Sequence, residues 1–486
     1  MYTTFGSLNT ALQTLHSMQQ SIQTSSHNVA NANTPGYSRQ STVLVAGHPY
    51  SVPAMNRYAP FGQVGTGVVV DRMKRFRDSY LDTQIRQETL ARDGWEVRRD
   101  VLQQAEVVWN EPSETAINSQ MSQFWTSWQN MATTPAETGT RTNLLADADA
   151  LATTITDTYR QLKDLRTELD AQVGRHVGSI NTLASQIASI NERIRDVEGV
   201  GQQANDLRDQ RDQLLTELSG YINVDIHEGE SGTVMVSLGG KLLVMDHVAT
   251  QLRVEADPAN GTLNRVVWAD TGQIAQVGGV QLAGGLSAVA PDRLGGKLGG
   301  TLIARDMIVP GQMNRLDQIA NTLRTQVNTL HSAGFGLDGS TGLNFFTGTG
   351  AQDFAVNSVV LADTNKVAAA ADAASLPGDG SNALAIARLA TTKLMNGGTA
   401  TIDQYYRSGI AELGQQARQA VLMTENQDLL VQHLEERQEQ IAGVSLDEET
   451  TRMLQYQHTY QAAARVMTTV DGMIDTIINK MGLVGR

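Results

Sequence analysis

The chain has 486 residues, enough for roughly three domains with ample cores. Its 37 Lys+Arg against 51 Asp+Glu give a formal charge of -14, which phosphate backbones and anionic lipid surfaces would repel, so neither nucleic acid nor a membrane is an expected partner. The absence of Cys excludes disulfides, zinc-thiolate sites and cysteine nucleophiles, and 44 Gly point to many turns or a β-rich insert.

A heptad seam opens the chain. Leu8, Leu15, Ile22 and Val29 recur every seven residues, with Phe5 and Leu12 at the companion position, and predict a helix over residues 4–32. Asn33, Thr34, Pro35 and Gly36 end it. Residues 1–38 contain no Asp, Glu, Lys or Arg, so this helix lacks the charged face of a solvated one. It is expected to be buried on several sides, either in a core or only within an assembly. The first residues also lack the basic and unbroken apolar segments of a conventional signal peptide, and no stretch has the length of a membrane-spanning helix.

Prolines and glycines then interrupt alternating residues such as Val43 and Val45, which reads as an extended connector with short strands over 36–70. Helical periodicity returns at Asp71. The clearest internal helix covers 155–197, where Leu162, Leu169, Val173, Ile180, Ile187 and Ile194 keep the three/four step. At ~1.5 Å per residue it is a rod of roughly 60 Å. Arg166 and His176 interrupt its seam. His176 has no second ligand at chelating spacing and reads as a half-exposed or hydrogen-bonded seam residue.

Between residues 223 and 300 the period switches to strands at 233–238, 241–245, 251–255 and 265–268, a small all-β insert. Helices resume at Leu302, a Gly-rich hairpin region spans 335–376, and helices follow from Asn382. At the end Leu446, Met453, Tyr460, Met467, Ile474 and Met481 repeat the opening heptad, and Tyr456, Ala463, Val470, Ile477 and Val484 form a second series. Each terminal stripe is the natural cover for the other.

The predicted fold is mainly α with a β insert, a nested multidomain rod. Residues 1–35 with 445–486 form a terminal coiled coil, and 36–70 a connector. Residues 71–222 with 301–444 form a helical-bundle domain with β-hairpins, and 223–300 a small all-β outer domain.

No catalytic, cofactor-binding or metal site is legible, and the chain is not expected to be an enzyme. Gln432-His433-Leu434-Glu435-Glu436-Arg437 lacks the second His of a zinc helix. Gly229-Glu230-Ser231-Gly232 falls in a predicted turn without the strand-to-helix elbow of a serine nucleophile. The glycines of 295–300 and 336–339 lack phosphate-loop spacing and read as turns. Residues 338–346 carry too few acids for a calcium loop. The pairs Glu435-Glu436 and Glu448-Glu449, beside Arg437 and Arg452, read as solvated helix faces.

The breaker after the first helix reads His27-Asn28-Val29-Ala30-Asn31-Ala32-Asn33-Thr34-Pro35-Gly36-Tyr37-Ser38-Arg39-Gln40. It resembles the N-terminal motif of flagellar axial proteins, in the form found in the flagellar hook-associated protein 1 family. The motif positions are Asn28, Ala30, Asn31, Thr34, Pro35, Gly36 and Tyr37. The C-terminal run of Val444-Ser445-Leu446-Asp447-Glu448-Glu449, Tyr456-Gln457 and Tyr460-Gln461-Ala462-Ala463-Ala464-Arg465-Val466 is similar to the same family. Two internal blocks resemble it too: residues 205–215, and the stretch from Gly295 through Arg305-Asp306, Asn328 and His331 to Phe345-Phe346. The first motif is shared with rod and hook proteins; the four blocks in order favour the junction family. The insert, a single modest β domain, is the least diagnostic part.

The resemblance implies a structural protein of the bacterial flagellum, an adaptor between hook and filament. It implies export through the flagellar type III apparatus, a cytoplasmic stage before export and an extracellular one after assembly on the distal end of the hook. The implied partners are the hook protein, a second junction protein of the hook-associated protein 3 type, other copies of the chain in a ring or tube, and an export chaperone at the C-terminal amphipathic helix. No cofactor is implied. The termini are expected to be disordered or partly helical in the monomer and to pair on assembly, along a seam of Leu8, Leu15, Ile22, Val29, Met453, Tyr460, Met467, Ile474 and Met481. The alternatives are a hook or distal rod protein and, fitting less well, an extracellular adhesin or a scaffold-borne hydrolase.

Overall fold

A computed structural model describes residues 4–49, 65–229, 232–277, 280–281 and 295–480. Glu230 and Ser231 of the predicted turn, Met481 and Val484 of the terminal series, and residues 50–64 of the connector lie outside them.

Helix α1 (Thr4–Ala30) is followed by strands β1 (Gln40–Ala46) and β2 (Val68–Arg75), which pair antiparallel with Gln40 opposite Arg75. The strand therefore continues past Asp71, where helical periodicity is predicted to return. Helix α2 (Ser79–Trp109) starts only after Asp78, whose side chain accepts from Tyr80 N and Leu81 N as an N-cap. Helix α3 (Ile117–Thr133) leads into α4 (Thr138–Glu198), whose 61 residues span roughly 90 Å. The predicted start at 155 is late, because buried Leu144, Leu145, Ala148 and Leu151 continue the same stripe toward the N-terminus.

Helix α5 (Asn205–Tyr221) precedes strands β3 (Asp225–Glu228), β4 (Val234–Leu238), β5 (Lys241–Met245) and β6 (Val248–Ala249), an antiparallel sheet in sequence order. Strands β7 (Leu252–Ala256) and β8 (Asn264–Trp268) form a separate antiparallel pair. Helix α6 (Gly296–Ile303) runs through a π-helical segment, Ala304–Ile308, into α7 (Val309–Ala333). Gly299 and Gly300 are thus helical, whereas Gly295 is the extended N-cap and Gly296, at φ +73°, turns the chain into α6, so helices resume at Gly296 rather than Leu302. Tertiary contact explains this, since a Cβ on Gly300 would sit 2.7 Å from Gly94 O. Only a glycine lets α6 cross α2 so closely.

The region after α7 holds a two-residue strand pair, Phe346–Thr347 with Ala355–Val356, and short helices α8 (Ser358–Ala362) and α9 (Ser381–Ala387). Helix α10 (Ile402–Ala442) opens on a capping box between Thr401 and Gln404 and packs along α2. Helix α11 (Leu446–Asp475) begins at the N-cap Ser445, with Asp447, Glu448 and Glu449 in its positive first turn. The described part ends in a second π segment, Thr476–Lys480. No helix among the described residues is long and apolar enough to cross a membrane.

Two main cores share the rod α4. Its first half contributes Leu144, Leu151, Ile155 and Leu162 to a core with α3, α7 and α10, centred on Phe124, Trp128, Phe345 and Phe346. Its second half contributes Val173, Ile180 and Ile187 to a core completed by Leu215 and Leu218 of α5, Leu298 and Leu302 of α6, and Val236, Val244 and Val266 of the strands. The sheet therefore closes its buried face on helices.

Polar side chains staple the joints. Between the cores, buried Arg305 donates to Asp170 Oδ1 at 2.7 Å and to Asn264 O at 2.6 Å, and Arg166 Nε donates to Arg305 O at 3.0 Å. Asn328 Oδ1 accepts from Phe345 N and Phe346 N at 2.9 and 2.8 Å. His331 is fully buried, with Nδ1 2.7 Å from Leu343 O and Nε2 3.0 Å from Ala368 N. These partners require the neutral tautomer with its proton on Nδ1. Burial pulls the His331 pKa down to about 4. His176, also lowered to about 4 by burial and the charges of Lys297 and Arg175, lies 3.2 Å from Thr301 Oγ1 as a half-buried seam residue.

Candidate functional site

The first and last long helices lie side by side, α1 packing along α11 on one flank and on the β1–β2 hairpin on the other. The buried apolar residues of the pair are Ala11 and Met18 of α1 and Ala463 and Val470 of α11. Leu8, Leu15, Ile22, Val29, Met453, Met467 and Ile474 are half-buried, and Tyr460 is exposed. Within one chain the deepest C-terminal positions therefore belong to the series that includes Ala463 and Val470.

The hairpin flank of α1 is polar. Ser17 Oγ donates to Val68 O at 2.9 Å and Ser21 Oγ lies 2.7 Å from Thr42 Oγ1, so buried hydroxyls occupy positions where a core helix would have apolar ones. Leu12, His16, Gln19, Gln20 and Gln23 face outward. The uncharged helix is covered on two flanks rather than all round.

At the base of this pair the motif residues divide by role. Thr34-Pro35-Gly36-Tyr37 is a turn closed by Tyr37 N donating to Thr34 O at 3.2 Å. Proline at its second position and Gly36 at φ +76° at its third are the requirements of a type II turn. Thr34, Pro35 and Gly36 are exposed on it, as is Ala30 at the end of α1, and Asn31 ties back to His27 O at 3.0 Å.

Asn28 is the centre of a buried polar clasp and has no solvent exposure. Its Oδ1 accepts from Tyr37 Oη at 2.7 Å and Gln40 N at 3.0 Å; its Nδ2 donates to Gln40 O at 2.8 Å and Glu449 Oε2 at 3.0 Å. One amide thus pairs with both backbone groups of the first residue of β1 and reaches α11. Glu449 is 1% exposed, so one member of the acidic pair read as a solvated face is interior. Asn28 and Arg452, 3.4 Å away, supply the donors that permit it. Glu448 stays exposed and pairs with Arg39 at 2.9 Å.

Helix α5 completes the clasp. Asp209 Oδ2 accepts from Ser38 N at 2.9 Å, and Arg75 Nη1 donates to Asp209 at 2.8 Å and Asp212 at 2.9 Å. Arg77 Nε donates to Asp82 Oδ2 at 2.8 Å, and Gln40 bridges Asp206 and Asn205. Arg39 N donates to Ala442 O at 2.8 Å, fixing the hairpin to the end of α10.

The charges of the clasp act on three of its groups. Burial and the carboxylates of Asp206, Asp209 and Glu449 raise the Tyr37 phenol, which remains a neutral donor to Asn28. Burial opposes the charge of Arg77, yet Asp212, Asp82 and Asp209 outweigh it and hold that guanidinium above its ordinary value. Burial raises Asp209, with Arg75 and the Ser38 N–H acting against the rise.

Of the motif positions singled out in the sequence, Asn28 and Tyr37 enter the clasp and the others shape or flank the turn. Arg75, Arg77 and Asp82 lie outside the resembling blocks, while Gln40, Asp209, Asp212 and Glu449 fall inside them, Glu449 as part of a pair read as solvated. The available signal was that the blocks 27–40, 205–215 and 444–466 each carry the resemblance; their polar residues meet here.

Residues 102–346 match the family described as the flagellar hook-associated protein FlgK helical domain, and residues 440–480 match the flagellar basal body rod FlgEFG protein C-terminal family. The flagellar hook-associated protein 1 of Bacillus subtilis is 31% identical over 100% of both chains. That of Escherichia coli is 25% identical, covering 97% of this chain and 99% of the relative. The flagellar hook junction protein FlgK from Burkholderia pseudomallei superposes with a TM-score of 0.63 at 18% identity, over 74% of this chain and all of that one, a likeness of fold. The clasp and terminal pair are thus features of a flagellar hook-associated protein. The chain belongs to the flagellar hook-associated protein 1 family.

Proposed function

We propose that the chain is a non-enzymatic adaptor at the hook–filament junction, exported through the flagellar type III apparatus and assembled on the distal end of the hook. The observation that carries this reading is the convergence of residues 27–40, 205–215 and 444–466 on one clasp at the base of the terminal helix pair. Such a joint ties a two-helix stalk to a large helical body, so load on one passes to the other through satisfied buried hydrogen bonds rather than a slack linker.

Beyond the clasp the pair exposes Leu12, Val466, Met473 and Ile477. Neighbouring subunits in a ring or tube would cover this surface, with the seam from Leu8 to Val29 and from Met453 to Met481 at the contact. The hook protein and a second junction protein then meet opposite ends of the ring, and an export chaperone covers the apolar face of α11 before secretion. In this arrangement 1–35 with 445–486 is the inner stalk, 71–222 with 301–444 the body and 223–300 the outer unit.

Deleting the gene in its own organism, imaging the flagella and assaying flagellin in the medium tests the reading. Bare hooks with shed flagellin are expected; intact filaments would overturn it. Missing hooks would favour a rod or hook component, the second reading that the rod-type match over 440–480 supports.

A further inference from the structure

The sequence contains two Asn-Gly dipeptides, Asn260-Gly261 and Asn396-Gly397. In such a pair the glycine nitrogen, unshielded by any side chain, can attack the asparagine side-chain carbonyl carbon when that side chain is free to swing back over the main chain. The structure treats the two differently. Asn260 Oδ1 accepts from Arg166 Nη2 at 2.9 Å, and its Nδ2 donates to Asp306 Oδ1 at 2.9 Å. Both ends of that amide are anchored by charged partners, and Asp306 is itself 1% exposed at the side chain.

Asn396 is exposed, at φ +50°, in the loop between Met395 and Ala400 that precedes α10. Its backbone carbonyl accepts from Thr399 Oγ1 at 2.9 Å, while its side-chain amide has no hydrogen-bond partner among the described residues. Neither does the Gly397 N–H. Attacking and attacked groups are both unengaged on one exposed turn.

We propose that Asn396 is a site of spontaneous deamidation and isoaspartate formation, and that Asn260 is protected. The Gly397 nitrogen loses its proton and bonds to Asn396 Cγ, and the Cγ–Nδ2 bond breaks with ammonia leaving, which closes a five-membered succinimide. Water then adds to one of the two ring carbonyls and the ring opens to aspartate or isoaspartate. No oxidant or reductant enters, and the net change is water gained and ammonia lost.

Each event places one negative charge on the N-terminal side of α10, the end of the helix dipole that tolerates it. The isoaspartate product also lengthens the main chain by one methylene between Met395 and Ala400. Met395 is buried in the main core, so that product strains the approach to α10 where aspartate does not.

The test is to incubate the folded full-length chain at alkaline and at mildly acidic pH, and in parallel in guanidinium. Peptide mass mapping and isoaspartyl methyltransferase labelling then follow both sites. In the folded chain the Asn396 peptide is expected to convert, faster at alkaline pH, while Asn260 stays intact; in denaturant both convert. An intact Asn396 in the folded chain, or an Asn260 that converts there at the same rate, overturns the proposal.

Discussion

Replacing Asn28 with alanine tests whether the clasp holds the terminal pair to the body. The substitution strands four buried partners at once: the Tyr37 hydroxyl, both backbone groups of Gln40 and the Glu449 carboxylate. A buried group left without its partner costs about 1–3 kcal/mol, more for a charge, and the four costs do not add because Arg452 still attends Glu449. The expected loss is roughly 3–5 kcal/mol, or about 10²–10⁴-fold in the opening equilibrium of residues 28–46. Hydrogen exchange read by mass spectrometry measures that opening directly, with α3 and α7 as internal references. Protection should fall at the turn, β1 and the start of α11, while the core around Trp128 keeps its own. Asn28→Asp sharpens the test, since it preserves shape but replaces the two donated hydrogen bonds with a carboxylate facing Glu449. It should be at least as damaging as alanine. Removing Glu449 as well should cost less than the sum of the single changes, because the carboxylate stranded by the first is gone. Protection within a few-fold of wild type in Asn28→Ala, or a harmless Asn28→Asp, would refute the reasoning.

Three further outcomes follow from other sites. His331 has a folded pKa lowered from 6.5 to about 4, so the unfolded chain binds the extra proton first. Its contribution is fully present above about pH 6.5 and is lost as pH falls toward 4, roughly 3 kcal/mol in all, because protonated Nε2 would face the Ala368 N–H. His176 adds a slope of the same sign, and denaturant melts of His331→Gln should keep only the His176 part. Gly300→Ala should destabilise by about 1–3 kcal/mol despite the better helix propensity, because its Cβ would meet Gly94 O at 2.7 Å; a thermal melt above wild type would contradict the α2–α6 crossing. Leu15→Asp or Ile474→Asp should abolish incorporation into flagella in a complementation assay while leaving the thermal transition of the central cores in place, and normal incorporation would count heavily against the assembly seam.

What the sequence disclosed and what it hid differ by range. The terminal heptads and the strand at 234–238 are periodic over a few residues, and periodicity is a local property. The first turns of α4 were hidden because Ala146, Ala148 and Ala150 alternate with Asp147 and Asp149 and blur the apolar stripe, although Ala148 and Ala152 are buried. Gly300 read as a turn former because the sequence does not display the α2 backbone it approaches. Glu449 read as solvated because its Asn28 partner lies 421 residues away.

That separation also says how the clasp can form. Closing a flexible loop costs entropy that rises with the logarithm of its length, and buried polar pairs give modest net energy to offset it. Here most of the cost falls on the body. Helices α2 and α10 pack along one another, Tyr406 of α10 donating to Glu111 just beyond the end of α2 at 2.7 Å. At the opposite end of the same pair, Gln438 meets Asp82 at 2.5 Å and Ala442 O receives Arg39 N. Once α2 and α10 are zipped, the start of α11 is already delivered beside the hairpin. Asn28 then has only the short stretch to Gln40 left to close, 12 residues rather than 421. The body thus preorganises the meeting of the two ends, and the clasp depends on the α2–α10 pairing more than on any affinity between α1 and α11 alone.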